Sequence, residues 1–416
     1  MEENDLMECT DHHNDIKTIK DAGDHVVIFG AGIVGEVLLY ACQEHEIHVD
    51  CFYDNNVNKT RALKCGIPVR HAPDLKKESP NAIVLISAAD IKDVINQLQS
   101  LGISQWYPGS ILLRNFGIYQ HAYSVPMEFV EYAVDTCLLC HDSFLVPDRL
   151  FLRSVDIVIT ERCSLKCRDC SNLMQYYERP RDCSLDEIMR SIDRFCTVVD
   201  AVNEFRVIGG EPLMSKDFYV VMKRLIDEPR VKKVVVYTNG TLVPKADEIP
   251  LLQSGKALFM ITDYGALSRN LAVLIDIMKE NNIAFYAQKA KGWTNCSRIV
   301  KHGRSPEQQK EIFRNCCAKN TVTLLSGRLY RCPFVGNTYR LQAVPERASD
   351  YIDLFRESWD GKDILKLKKK IRAYLLDTEF LDGCDYCNGR SFEDPEIEPA
   401  VQIKKPLVYE RCCSGD

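Results

Sequence analysis

The sequence predicts an α/β fold with two parallel sheets and a cysteine-rich extension. Three observations predict it. A short apolar strand runs into a glycine turn near residue 30, strands and helices alternate from residue 151 to residue 300, and cysteines accumulate beyond residue 300. We therefore expect an N-terminal Rossmann-like sheet, then a barrel or partial barrel, then a smaller cysteine-rich domain.

The composition is that of a globular protein with many thiols. At 416 residues the chain exceeds what one hydrophobic core usually organises, so several domains are expected. The net charge of -6, without clustered Lys and Arg, argues against a nucleic-acid or acidic-membrane partner. The start does not resemble a secretory signal and no apolar run is long enough for a membrane span, which predicts a cytoplasmic protein. Nineteen cysteines in that reducing compartment favour metal or cluster ligation over disulfides.

The first 112 residues predict a mobile arm, residues 1–20, and a Rossmann-like domain, residues 21–112. An apolar strand ends at a Gly-x-Gly-x2-Gly turn that opens a helix, and the next strand ends at an aspartate. In nucleotide-binding folds such a turn holds a phosphate and such an acidic residue holds a ribose. The alternative is that the glycines only permit close helix–strand packing. The candidate residues for a nucleotide or NAD are Gly30, Gly32, Gly35 and Asp54.

The next segments are expected to be a connector, residues 113–150, and a barrel core, residues 151–300. Alternating strands and helices of this length build a barrel or partial barrel. The strands are predicted over 155–160, 204–208, 232–237, 257–262 and 283–288, and the helices over 184–199, 216–227 and 266–281. A cysteine-rich domain, residues 301–400, and a tail, residues 401–416, complete the chain.

Three cysteines, Cys163, Cys167 and Cys170, lie in the loop after the first barrel strand. Three thiolates so close in sequence can converge on one face of an iron–sulfur cube and leave the fourth iron without a protein ligand. A structural cluster or a zinc site normally uses four protein ligands. An open iron can bind a small molecule directly. A zinc loop is the alternative interpretation.

This loop resembles the Cys-x3-Cys-x2-Cys signature of the radical S-adenosylmethionine (SAM) superfamily. The resemblance implies a partial (β/α)6 barrel and a 4Fe–4S cluster on the three cysteines, with SAM chelated at the open iron. It also implies reductive cleavage of SAM to a 5′-deoxyadenosyl radical, which abstracts a substrate hydrogen. One position departs from the family: an aromatic residue usually precedes the third cysteine and packs near the adenine, and here that residue is Asp169.

Two later strand ends agree with this resemblance. The first is similar to the family's Gly-Gly-Glu motif, whose carbonyl and carboxylate groups receive the SAM ammonium, and the second matches a common Thr-Asn-Gly. The cofactor-binding residues that the resemblance implies are Gly209, Gly210, Glu211 and Asn239.

A second set of cysteines predicts an auxiliary metal centre. Ser326-Gly327 predicts the turn of a hairpin whose ends carry cysteines, and a Cys-x2-Cys pair follows. The pattern resembles the shortened SPASM extension called a Twitch domain, which implies a second 4Fe–4S cluster in full cysteine ligation. Zinc on the same thiolates is the alternative, and Cys316 can replace its neighbour. The four implied ligands are Cys317, Cys332, Cys384 and Cys387.

The N-terminal segment also resembles Rossmann-like domains attached to enzymes of sugar-nucleotide and surface-glycan metabolism. Together the resemblances imply a radical SAM oxidoreductase or epimerase that acts on a sugar, aminosugar or nucleotide-linked glycan precursor. They imply reduced flavodoxin or ferredoxin as the electron donor. A peptide-modifying radical SAM enzyme and a zinc-stabilised nucleotide-binding scaffold are the alternatives. Cys183 follows the cluster loop and is a candidate hydrogen donor for an epimerisation, whereas Cys137 and Cys140 are expected to be core residues.

Overall fold

A computed structural model gives the fold, and it describes residues 15–21, 25–146, 148–356, 361–391 and 394–412. The chain divides into two compact units, Met1–Phe151 and Leu152–Asp416. Most of the predicted arm, residues 1–14, lies outside the described residues, and residues 15–21 form a helix, α1. Among the described helices, none combines the length and the apolarity that crossing a membrane requires.

The N-terminal unit contains a six-stranded sheet in the order β3-β4-β2-β1-β5-β6. All neighbours pair in parallel except β3 and β4. The strands are β1 Val26–Phe29, β2 Cys51–Asp54, β3 Leu63–Lys64, β4 Ile67–His71, β5 Ile83–Ile86 and β6 Trp106–Pro108. The remaining helices are α2 Ile33–Glu44, α3 Leu75–Glu78, α4 Ile91–Ser100, α5 Ser110–Leu113 and α6 Met127–Leu145.

Strand β1 shows why this sheet forms. Val26 and Ile28 belong to one hydrophobic core and Val27 and Phe29 to another, because successive side chains of a strand point to opposite faces. A parallel sheet that is covered on both faces needs such a continuous apolar run. Helix α6 contributes Val130, Val134 and Cys137 to the first core, so much of the predicted connector packs within this unit.

The C-terminal unit contains an eight-stranded sheet in the order β11-β10-β9-β8-β7-β13-β14-β15. The strands are β7 Phe151–Thr160, β8 Ala201–Gly209, β9 Val231–Thr238, β10 Ala257–Asp263, β11 Phe285–Lys289, β13 Val322–Leu325, β14 Arg328–Tyr330 and β15 Tyr351–Asp353. A separate pair joins β12 Trp293–Thr294 to β16 Glu396–Ile397. The helices are α7 Leu185–Val198, α8 Phe218–Ile226, α9 Ile249–Leu252, α10 Leu271–Glu280, α11 Pro306–Asn315, α12 Pro333–Arg340 and α13 Gly361–Asp377.

The predicted alternation of strands and helices is present from β7 to β11, and helices α7 to α10 connect the five strands. Helix α7 illustrates the pattern, since Ile188, Ile192 and Phe195 recur at helical spacing and are buried. The Ser184 hydroxyl caps the helix by accepting a hydrogen bond from Glu187 N at 3.4 Å. The sheet has two edges, β11 and β15, as in a partial barrel. The predicted α/β class is confirmed.

The predicted hairpin is formed by β13 and β14, which pair antiparallel. Ser326 has φ 50° and Gly327 has φ 75°. Positive φ at both central residues is the geometry of the two-residue turn that best matches the twist of the flanking strands. The prediction of a turn at these two residues is confirmed.

The glycine turn of the N-terminal unit leads to a stability prediction. A Cβ on Gly35 would lie 2.1 Å from the Gly30 carbonyl oxygen, whereas a Cβ on Gly32 would have no atom within 4 Å. Gly35→Ala should lower the free energy of unfolding by about 3 kcal/mol, because the helix must move off the turn. Gly32→Ala, the matched control, should cost less than about 1 kcal/mol. Urea unfolding of both variants tests this, and equal losses would contradict it.

Candidate active site

The candidate site lies where the parallel strands of the C-terminal unit end. Strand β7 ends at Thr160, β8 at Gly209 and β9 at Thr238, and the loops that follow carry the three motifs. A cavity of about 470 Å³ opens at these strand ends. It is lined by the three cysteines and by residues of the two other motifs, namely Cys163, Cys167, Cys170, Gly209, Gly210 and Asn239.

The two glycines hold the end of β8 against the cysteine loop. Gly210 N donates to Thr160 O at 2.8 Å, and Glu211 N donates to Arg162 O at 2.8 Å. A Cβ on Gly209 would lie 2.3 Å from Thr160 O, and one on Gly210 would lie 2.2 Å from Arg162 O. No side chain fits at either position, so the Gly-Gly pair lets two backbones touch and sets the position of the loop.

Glu211 ties the second motif to the third. Its carboxylate is fully buried and accepts hydrogen bonds from Thr238 Oγ1 at 2.9 Å, Asn239 N at 2.9 Å and Leu213 N at 3.3 Å. Burial raises the pKa of Glu211 to about 7, although these hydrogen bonds lower it. In this structure the carboxylate therefore faces the end of β9.

Asn239 brings the third motif to the cysteine loop. Its Nδ2 lies 3.7 Å from Cys163 Sγ and donates to Ser164 Oγ at 3.2 Å. On the other side of the cavity, Asn172 Nδ2 donates to the Gly209 carbonyl oxygen at 3.2 Å. The structure thus brings all six cavity-lining residues of the three motifs to one place, as the sequence predicted.

The thiols of the loop lie in a buried setting. Burial raises the pKa of Cys163 and of Cys170, and it raises that of Cys167 to about 11. Without a metal these groups stay protonated, whereas a bound metal stabilises the thiolates. Within the described ranges, no three Cys, His, Asp or Glu side chains converge tightly enough to hold a single ion. In an iron–sulfur cluster each thiolate binds its own iron, and three soft donors on one cavity wall fit that group.

Asp169 has a clear structural role. It is almost fully buried, and it pairs with Arg298 Nη2 at 2.9 Å and with Arg168 Nε at 2.8 Å. The pair with Arg298 fastens the cysteine loop to the segment that follows β12. Where the family usually has an aromatic residue beside the adenine, this chain has an ion pair that anchors the loop.

The C-terminal segment covers the cysteine loop, which sequence reasoning missed. Arg168 N donates to Val401 O at 2.7 Å and Ile403 N donates to Lys166 O at 2.8 Å. Gln402 Nε2 lies 3.4 Å from Cys167 Sγ. From the sequence alone these residues are assigned only to a tail, because the alternation Val401-Gln402-Ile403 is too short to predict a strand.

Polar residues of the strands line the deeper part of the cavity. Asp156 of β7 accepts a hydrogen bond from Arg206 Nε of β8, and the Arg206 guanidinium lies 5.6 Å from the centre of the Tyr237 ring on β9. Burial lowers the pKa of Arg206, but Asp156, Tyr237 and Glu204 together raise it more, so the net pKa is above its usual value. Sequence reasoning missed this set, although its charges interrupt otherwise apolar strands.

The second group of cysteines gathers around Cys332. Apart from burial, the Cys332 charge is the largest cause that raises the pKa of Cys316, Cys384 and Cys387. Cys317 instead lines the cavity of the cysteine loop. The sequence named Cys317 as the fourth ligand, and the structure places its neighbour with the other three. We call the set Cys316, Cys332, Cys384 and Cys387 the auxiliary group.

Two residues outside the predicted set support the auxiliary group. Arg304 Nη1 donates to the carbonyl oxygens of Cys384 at 2.8 Å and of Cys387 at 2.7 Å, and so it fixes the Cys-x2-Cys turn. Cys296 is buried, and its carbonyl oxygen lies 3.6 Å from Cys387 Sγ. No spacing signal in the sequence marked either residue.

The glycine turn of the N-terminal unit forms as predicted, but its aspartate is already engaged. Gly30 N donates to Tyr53 O at 2.7 Å, and Gly30 has φ 110°. The Asp54 carboxylate accepts from Ala31 N at 2.9 Å and from Asn56 N at 2.8 Å, and it pairs with Lys59 Nζ at 3.0 Å. A ribose would have to compete with these partners.

The other thiols named from the sequence are not among the residues that line the cavity of the cysteine loop. Cys183 is buried and lies 3.0 Å from Arg340 Nη1, in a separate cavity of about 10 Å³. Cys137 is buried within helix α6, and Cys140 is partly exposed there. Backbone N–H of Cys412 donates to Gln342 O at 2.8 Å, and Cys413 lies outside the described residues.

Glu211 leads to a pH prediction for the metal-free chain. Its folded pKa of about 7 exceeds the ordinary 4.5, so the folded state binds the extra proton and stability should fall as pH rises from 4.5 to 7. Glu211→Gln should remove this part of the pH dependence, because the neutral amide resembles the protonated carboxyl. Urea unfolding between pH 5 and pH 8 is the measurement, and exposed Glu178→Gln is the control. An unchanged pH profile in Glu211→Gln would contradict the prediction.

Comparison with known proteins gives two family matches. Residues 157–326 match the family described as the Radical SAM superfamily, and residues 8–106 match the family described as the C-methyltransferase C-terminal domain. The first match spans the cysteine loop, the Gly-Gly-Glu motif and Asn239. The second covers most of the sheet of the N-terminal unit.

Curated relatives match parts of the chain. A GTP 3′,8-cyclase of Stenotrophomonas maltophilia strain R551-3 is 34% identical over 88 residues, which are 21% of this chain and 26% of that protein. A GTP 3′,8-cyclase of Pseudomonas savastanoi pv. phaseolicola is 28% identical over 184 residues, 41% of this chain and 53% of that protein. The chain thus spans between a quarter and about half of these relatives' lengths.

Solved structures resemble parts of this chain at low sequence identity. BtrN in complex with AdoMet and 2-DOIA has a TM-score of 0.38 at 14% identity, over 58% of this chain and 94% of that chain. Streptococcus suis SuiB bound to S-adenosylmethionine has a TM-score of 0.29 at 12% identity, over 63% of this chain and 76% of that chain. The family match and the signature residues agree on one conclusion: residues 157–326 of this chain are a radical SAM domain.

Proposed function

We propose that this chain is a radical SAM oxidoreductase or epimerase that acts on a sugar, an aminosugar or a nucleotide-linked glycan precursor. A SAM-bound 4Fe–4S cluster supplies a 5′-deoxyadenosyl radical that abstracts a hydrogen atom from the substrate. The observation that carries the proposal is the shared cavity, which is lined by the three cysteines of the loop, the Gly-Gly pair and Asn239. Cys163, Cys167 and Cys170 are the proposed cluster ligands.

The surrounding residues have defined binding roles in this proposal. Gly209 and Gly210 offer backbone oxygens to the SAM ammonium, because they carry no side chains that would keep it away. Asn239 is in reach of both the cavity and Cys163, so it orients the ligand against the loop. Glu211 lies behind the glycines and keeps the ends of β8 and β9 together.

The polar floor of the cavity supports a hydrophilic substrate. Asp156, Arg206 and Tyr237 present a carboxylate, a guanidinium and a phenol side by side, and such groups hydrogen-bond hydroxyl, amino or phosphate groups. A cavity of about 470 Å³ has the size of a small-molecule site. The matched relatives are named as GTP cyclases, which is in keeping with a nucleotide-linked substrate.

Two further parts of the proposal concern electrons and the N-terminal unit. The auxiliary group provides four thiols, which suit a second 4Fe–4S cluster, and a reduced flavodoxin or ferredoxin is the proposed electron donor. The glycine turn with Gly30, Gly32, Gly35 and Asp54 is proposed to bind a nucleotide or NAD within the N-terminal unit. Binding there would require Asp54 to exchange its present partners.

The chemistry is tested by SAM cleavage. Anaerobically reconstituted and reduced protein should form 5′-deoxyadenosine from SAM, and Cys163→Ala, Cys167→Ala and Cys170→Ala should each reduce formation to background, because the cluster loses a ligand. Cys196→Ala is the matched control, since that cysteine is buried in helix α7, and its activity should remain. A colourless protein with stoichiometric zinc and no 5′-deoxyadenosine would contradict the proposal and favour the scaffold.

The substrate class is tested by isotope transfer. With deuterated sugars, aminosugars and nucleotide-linked sugars, deuterium should appear in 5′-deoxyadenosine for the true substrate and should identify the position attacked. Arg206→Gln should weaken binding of that substrate about tenfold or more, because the charged hydrogen bond from the guanidinium to the substrate is lost. Transfer only from deuterated peptides would contradict the proposed class and favour a peptide-modifying enzyme.

A further inference from the structure

Arg390 lies between the two cysteine groups of the C-terminal unit. Its side chain lines the cavity that also contains the three loop cysteines and Cys317. Its carbonyl oxygen accepts a hydrogen bond from Cys317 N at 2.7 Å, which ties the arginine to the chain beside the auxiliary group. Arg390 is therefore at the boundary between the cavity and that group.

The charge of Arg390 has no carboxylate partner among the residues that the structure describes. Its Nε is buried and makes no hydrogen bond there. Asp156 interacts electrostatically with Arg390 but is already bonded to Arg206 Nε. A charged group that is partly withdrawn from water is stabilised by a nearby charge of opposite sign. Arg390 is partly buried, and its buried Nε can still donate a hydrogen bond to an anion.

Four cysteine thiols lie near enough to the Arg390 guanidinium to interact with it electrostatically. Burial lowers the pKa of Arg390, but the thiols of Cys296, Cys317, Cys316 and Cys332 raise it more, so the net pKa lies above its usual value. Neutral thiols would give no counter-charge. Thiolates on a metal cluster would give one, and the negative charge of a cluster grows by one when the cluster is reduced.

The backbone at the two adjacent cysteines separates their thiols. Cys316 directly follows helix α11, and its φ of -74° and ψ of 122° are those of an extended chain. In an extended chain successive side chains point to opposite sides. Cys316 accordingly lies with Cys332 and Cys384, while Cys317 lines the cavity.

We propose that Arg390 is the counter-ion of an auxiliary iron–sulfur cluster held by Cys316, Cys332, Cys384 and Cys387, and that Cys317 is a wall residue of the cavity. The inference rests on the auxiliary cluster of the proposed function. A cation beside the cluster stabilises the added electron, so Arg390 raises the reduction potential of the cluster. It does so on the side that faces the cavity, where an electron from a substrate would arrive.

The test isolates the auxiliary cluster in the full chain. Replacing Cys163, Cys167 and Cys170 by Ala leaves the auxiliary group as the cluster site, and its midpoint potential is measured in a redox titration followed by electron paramagnetic resonance. Arg390→Gln should make one-electron reduction about tenfold less favourable, which is a midpoint lower by about 59 mV. Arg356→Gln is the control, because that exposed arginine pairs with Asp353, and the midpoint should not change.

The ligand assignment is tested in the same background. Cys317→Ser should retain the cluster with its full iron content, whereas Cys316→Ser should lose it or change its spectrum. The reverse result would overturn the assignment. Equal midpoints in the parent and in Arg390→Gln would overturn the role of Arg390.

A second pair of variants decides the matter if Arg390→Gln does not fold. Cys317→Asp puts a carboxylate beside Arg390 and should lower the midpoint relative to Cys317→Asn, and equal midpoints would overturn the proposal. A background protein that binds no cluster would overturn the auxiliary site itself. The proposed function is judged separately, by 5′-deoxyadenosine formation in the chain that keeps Cys163, Cys167 and Cys170.

Discussion

The contact between two backbones is the constraint on which the site depends. The Gly209-Gly210 end of β8 lies so close to Thr160 and Arg162 that a Cβ on either glycine would overlap a carbonyl oxygen. This contact fixes the start of the cysteine loop. Asn239 and residues 401–403 then hold the loop from other sides. These contacts hold the loop in the arrangement in which its three cysteines line one cavity.

A second constraint is the burial of sulfur. Thiols with pKa values raised by burial remain neutral in the empty chain, and they become anions only when a metal is bound. Metal loading is therefore coupled to proton release and to the stability of the loop. Arg390 is the complementary case, since it is a partly buried cation near several thiols. Both features are explained by clusters that bring negative charge to the thiol sites.

The sequence predicted much of the fold because its signals are local. Apolar runs, helical periodicity and the Ser326-Gly327 turn each specify nearby backbone geometry, and β7 to β11 form near the predicted positions. The cysteine loop, the glycine pair and Asn239 were found because parallel strands bring their carboxyl ends together. Contacts between residues far apart in the sequence were not predicted. Gln402 approaches Cys167 from 235 residues away, and Arg298 reaches Asp169 from 129 residues away.

Adjacent residues mark another limit of sequence reasoning. The spacing to the hairpin favoured Cys317 over Cys316, whereas the backbone direction after helix α11 separates their side chains in space. In the same way, the glycine turn predicts its own shape but not the partners of Asp54, which depend on Lys59 and on the loop after β2. Ligand choice at both places depends on side-chain direction, which spacing does not specify.

The central claim is that Cys163, Cys167 and Cys170 hold a cluster with one iron open to SAM. Electron paramagnetic resonance of the reduced Cys384→Ala, Cys387→Ala protein, prepared without oxygen, tests it most directly because the auxiliary group can no longer hold a cluster with full cysteine ligation. The account predicts a 4Fe–4S signal that changes when SAM is added. A signal that is indifferent to SAM, or no paramagnetic iron signal, would contradict it.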